Sequence, residues 1–112
     1  MRLINRLNSD SRQEAFLTGN AGQRIKMKLR YLPTQKIWMM DISTDDFEVN
    51  GIAVLYSYNL LKDYDNIIDF GISCLTLDGQ DPRNVTDFES GYAFLYLLNG
   101  TDVQEISAEV YE

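Results

Sequence analysis

The clearest regularity in the chain is Arg24-Ile25-Lys26-Met27-Lys28-Leu29-Arg30-Tyr31, where charged and apolar residues alternate without a break. Successive side chains of a strand point to opposite faces. The pattern therefore predicts a strand with Ile25, Met27, Leu29 and Tyr31 on a core. Arg24, Lys26, Lys28 and Arg30 form one cationic stripe on the other face. Four like charges on one strand face repel one another and call for acids on a neighbouring strand or another subunit.

The remaining elements follow from the same alternation and its interruptions. Gln13 to Thr18 predicts a strand joined to the stripe by a hairpin turn at Gly19-Asn20-Ala21-Gly22. Pro33-Thr34-Gln35 turns the chain into a strand over Lys36 to Ile42, with Trp38, Met40 and Ile42 on one face. Ile37 and Met39 make its other face apolar too, so both faces should be covered. Ser43 to Asp46 turns the chain again. Phe47 to Tyr58 then reads as strand, kinked at Gly51. Asn59 heads a single helical turn that sets Leu60, Leu61 and Tyr64 against the core. Ile67 to Leu77 resumes an apolar strand, with Gly71 as a bulge. A loop at Asp78 to Pro82 and an irregular stretch from Asn84 to Gly91 follow. Tyr92 to Leu98 is a buried strand. Asn99-Gly100 is a hairpin signal that pairs Val103 to Tyr111 back onto it.

The sum is an all-β fold, a small antiparallel barrel or sandwich of about seven short strands with one short helical turn. The 112 residues make one domain, over 13–112. Residues 1–12 form an N-terminal arm, with Leu3, Ile4 and Leu7 apolar among polar neighbours, that docks on a neighbour. The 45% apolar content is enough for an ordered core. No stretch nears the roughly 18 consecutive apolar residues of a membrane span. The first residues carry no apolar block, so an unexported protein without membrane insertion is the expectation.

Charge changes the picture more than composition does. The net charge of −7 splits into +6 over residues 1–40 and −13 over residues 41–112. A chain polarised in this way can stack on copies or partners, positive patch to negative patch. Sequence recognition of nucleic acid is not expected: the acidic remainder repels phosphate, and no aromatic interleaves the basic residues.

Catalytic chemistry is thin. The chain has no histidine, which removes the usual near-neutral general base and imidazole metal ligands. Its one cysteine, Cys74, lies in an apolar run and reads as a small buried hydrophobe. The Asp78-Gly79-Gln80-Asp81 loop fails the EF-hand spacing. The Asp45-Asp46 and Asp63/Asp65 pairs lie in polar turns, where nothing drives two pKa values apart. No catalytic residue, cofactor or metal is expected. Tyr56, Tyr58, Tyr92 and Tyr96 fall on predicted strands, where tyrosine suits surfaces half apolar and half wet, as at subunit contacts. The candidate site is thus an interface made of Arg24, Lys26, Lys28, Arg30 and these four tyrosines.

In order and spacing, the chain resembles the baseplate plug proteins of contractile-tailed bacteriophages, a family named after a cyanophage baseplate plug. The resemblance runs from Gln13 and Phe16 through Leu29-Arg30-Tyr31, Trp38, Asp41-Ile42 and Gly51-Ile52. It continues over Leu60-Leu61, Tyr64 and Asp81-Pro82 to Leu95-Tyr96-Leu97-Leu98. It implies a structural virion protein, not an enzyme, at the tip of the tail tube beside tube, hub and spike proteins. It also implies self-assembly into a symmetric ring and synthesis in the bacterial host cytoplasm. The alternative is a stand-alone ligand-binding β-domain of the carbohydrate type, with Trp38, Tyr56 and Tyr58 lining an open face.

Overall fold

The computed structural model of the chain describes residues 2–5, 7–19 and 22–110, with side chains as far as Ile106. Asn20 and Ala21 of the predicted hairpin turn, Met1 and Arg6 of the N-terminal segment and Tyr111 of the last predicted strand lie outside the described residues. The strands are β1 (Arg2–Leu3), β2 (Arg12–Thr18), β3 (Arg24–Leu32), β4 (Ile37–Ser43), β5 (Glu48–Ala53), β6 (Gly71–Thr76) and β7 (Ala93–Leu98). They form two antiparallel sheets, a four-stranded one in the order β2-β3-β4-β5 and a three-stranded one in the order β1-β7-β6. Among the described residues the fold is thus mostly β with seven strands, as the alternation predicts, and the sheets are not closed into a barrel.

The alternating residues of β3 do what the strand period requires. Ile25, Met27 and Leu29 are buried, and Trp38, Met40 and Ile42 from β4 lie beside them. The inner face of the smaller sheet adds Ile72, Cys74, Leu95 and Leu97 to the same core. Gly51 adopts φ 75° where the β4–β5 register shifts, so the predicted kink is a bulge. Asp41 holds it there: one carboxylate oxygen accepts the Gly51 N–H at 2.8 Å. Within the N-terminal segment, Arg2 and Leu3 pair with Leu97 and Tyr96, and Ile4 is buried in the core of its own chain.

Four expectations are corrected. The segment from Val103 is not a returning strand; Gly100–Val110 is a helix, α1. Asn99 and Asp102 explain it. The Asn99 Oδ1 accepts the Asp102 N–H at 2.8 Å, and the Asp102 carboxylate accepts the Asn99 N–H at 3.2 Å. This reciprocal cap satisfies amides that a hairpin turn would have used otherwise. Second, β5 ends at Ala53, so Tyr56 and Tyr58 lie in a loop that meets β6 at the isolated bridge Ser57–Cys74. Third, Gly71 makes no bulge; it opens β6 in regular register with Leu98. Fourth, the helical turn is a 3-10 turn at Lys62–Tyr64 with no side-chain cap. The Asn59 Oδ1 instead accepts the N–H of Leu61 and of Ile72, tying the turn to β6. Leu61 is nevertheless buried, and Leu60 and Tyr64 pack against the core as expected.

Cys74 is buried on the inner face of β6. Burial, and secondarily the Asp81 carboxylate, push its thiol up to about 12. In an unfolded chain the thiol ionises near its ordinary value of about 8.5. The stability linked to this group is therefore full below that pH and is lost as the pH rises toward the folded value. At neutral pH, alkylation of Cys74 by iodoacetamide should be slower in the native protein by several orders of magnitude and should appear only with unfolding. Native labelling at the rate of a free thiol, followed by mass spectrometry, would show that the site is open.

Candidate functional site

Because each sheet turns one face to the core, each has one face left for the outside. On the larger sheet, the outward side chains of β3 are the predicted stripe: Arg24, Lys26, Lys28 and Arg30. The register sets Lys28 between Glu14 of β2 and Asp41 of β4. The repulsion within the stripe is partly relieved inside the sheet. Arg30 donates to Asp41 at 2.8 Å, and the Lys26 ammonium lies 4.0 Å from Glu14. Among the described residues, Arg24 and Lys28 hold no ion pair. Phe16 shares this face from β2, 76% exposed, with the Lys26 ammonium 5.9 Å from its ring centre. No sequence signal set Phe16 apart as a surface residue. It follows from the register, because Phe16 opposes Lys26.

The outer face of the smaller sheet is aromatic and aliphatic. Leu3, Tyr96 and Ser73 stand in one row across β1, β7 and β6. Phe94 and Leu75 form the next row, and the Phe94 and Tyr96 rings are 6.5 Å apart. Beyond β6 the loop brings in Tyr56 and Tyr58, edge to face at 6.0 Å. Tyr58, Ser73, Leu75 and Ile106 line one hollow of about 220 Å³, where α1 crosses this face. The Tyr56 hydroxyl titrates above its ordinary range, first because of its hydrogen bond with Tyr58.

The structure thus groups Tyr56, Tyr58 and Tyr96 and separates them from the cationic stripe. Tyr92 stands apart, just before β7, with its hydroxyl donating to Asp78. That bond holds Asp78 below the usual carboxylate range and raises Tyr92 in turn. A lowered carboxylate contributes stability above its unfolded pKa, and this one loses it as the pH falls through the folded value.

Trp38 is fully buried, between Tyr31 and Phe88, and its indole N–H donates to the Asn84 carbonyl at 3.2 Å. It lines no open face with Tyr56 and Tyr58, and the arrangement expected of a sugar-binding surface is absent at these residues. Among the described residues, no three His, Cys, Asp or Glu side chains gather as a metal site. No helix among them is long and apolar enough to cross a membrane.

What the geometry defines is a small two-sheet β-protein with one cationic and one aromatic outward face. Over residues 1–100 it matches the family described as the cyanophage baseplate Pam3 plug gp18, and the chain belongs to that family. It is therefore a structural protein of a phage tail baseplate, and its place is in the virion tail. No curated protein matches the chain.

Proposed function

We propose that this chain is the plug-type component at the hub-proximal end of the tail tube and that it acts through protein contacts, without catalysis. Several copies assemble as a symmetric ring in contact with tube, hub and spike proteins. The chain is made in the host cytoplasm before it joins the tail. It reads no nucleic-acid sequence and inserts in no membrane. Family membership over residues 1–100 carries this reading. The two outward faces support it, since aromatic and arginine side chains are the enriched chemistry of protein interfaces. The contacts assigned to them are Arg24, Lys26, Lys28 and Arg30 on one side, and Tyr56, Tyr58 and Tyr96 on the other. Tyr92 would act from the edge.

The test is charge reversal at Lys26 and Lys28 together. Both side chains lie on the outward face of β3, and among the described residues the only ion pair involved is the Lys26–Glu14 contact at 4.0 Å. Exposed pairs of this kind contribute about 0–1 kcal/mol. The Lys26→Glu/Lys28→Glu variant should keep the wild-type circular dichroism spectrum and lose uptake into tails reconstituted with the tube and hub proteins. Uptake at wild-type strength would overturn the role given to this face.

A further inference from the structure

We propose that the outer face of β2 and β3 docks a second copy of this chain, which presents the acidic turn leading into β6. This rests on the assembly reading above and names the occupant of one of its faces. The docking face carries an exposed apolar residue, Phe16, bordered on β3 by a row of four cations, with Glu14 and Asp41 as acids on the same face. The turn has the complementary composition. Ile67 is 66% exposed, and it lines a hollow of about 370 Å³ with Asp46, Asp65 and Asp69. One exposed apolar residue inside a charged rim is how protein contacts are built, because the rim excludes water from the centre.

Here the two surfaces carry opposite net signs and stand on the same chain. Copy-to-copy docking pairs Phe16 with the Ile67 hollow, and sets Arg24 and Lys28 against carboxylates. A foreign partner would have to bring its own acids around an apolar centre; a second copy already has them. The split of charge along the sequence, +6 against −13, has the same sense.

The experiment measures mass in solution over a range of concentration and salt, for the full chain and two variants. One is Lys26→Glu/Lys28→Glu, and the other is Asp65→Lys/Asp69→Lys. The wild type should associate, less so at high salt. Each variant alone should associate at least about tenfold more weakly, since like charges would then face each other. Mixed together, the two should recover association, because the acidic face of one meets the basic turn of the other. Phe16→Ser, whose ring is exposed and whose loss spares the core, should weaken association with no change in circular dichroism.

Association of either variant at wild-type strength overturns the proposal, and so does a mixture that fails to recover. A wild type that stays monomeric but binds tube or hub proteins overturns the self-contact and leaves standing the reading of a baseplate component that acts through contacts with those proteins. A monomer that binds none of them removes both.

Discussion

Truncating Trp38 to alanine should destabilise the protein by about 3–5 kcal/mol. A domain of this size has about 5–15 kcal/mol in total, so the variant would be close to unfolding at ambient temperature. The expectation rests on three contacts that one side chain makes. Its ring packs at 5.3 Å from Tyr31 and at 5.4 Å, edge to face, from Phe88. Its indole N–H ties the irregular 84–91 stretch to β4. Removing it opens a cavity between the larger sheet and that stretch. Urea unfolding followed by circular dichroism gives the loss directly. Trp38→Phe should cost less, because it keeps most of the ring and gives up mainly the hydrogen bond. A Trp38→Ala midpoint equal to wild type would mean that this ring is not a core residue. The native emission of this one tryptophan should also lie to the blue and stay there on adding sugars.

Much of this was legible in the sequence, for a physical reason that differs from element to element. β3 was readable because its residues alternate, and a sheet with one buried face imposes that alternation, while β2 and β4 were readable from the turns on either side of it. The run from Tyr92 to Leu98 was readable because its length and aromatic content fit a buried strand better than a helix. The cationic stripe was legible as a face. Its partial neutralisation by Glu14 and Asp41 was not, because that depends on which strands pair and in what register.

The misread segments share a cause: a short local signal with two meanings. Asn99-Gly100 marks a hairpin, yet Asn99 with Asp102 three residues on is equally a helix cap. The deciding sign lay downstream, where Val103, Ile106 and Val110 recur at helical spacing and no alternation appears. Tyr56 and Tyr58 continue the apolar run of β5, but the bulge at Gly51 and the end of pairing at Ala53 release the chain toward the other sheet. The tyrosine face therefore could not be drawn from the sequence. It is assembled from β1, β7, β6 and a loop, and Phe94, which belongs to it, had no signal of its own.

Gly71 shows how one such long-range fit controls stability, and Gly71→Ala should cost about 2–4 kcal/mol. The glycine lies in regular strand, so backbone conformation does not demand it. Space does. A methyl group there would meet the Asn59 Oδ1 at 2.6 Å and its Cγ at 2.9 Å. Asn59 is buried and cannot swing away without giving up the amides of Leu61 and Ile72. Those amides are inside, and each stranded donor costs about 1–3 kcal/mol. Asn59→Ala should therefore destabilise by a similar amount for a different reason, lost acceptors in place of overlap. The two changes should then be strongly non-additive. With Asn59 already truncated, adding Gly71→Ala should cost less than about 1 kcal/mol, a coupling of the size found for residues in direct contact. Thermal and urea unfolding of the four proteins in the cycle measures it. Additive losses would mean that the glycine is needed for something other than the Asn59 side chain. A coupled result would identify the Asn59–Gly71 contact as the point that fixes the 3-10 turn on β6, and with it the position of the Ile67 turn that follows.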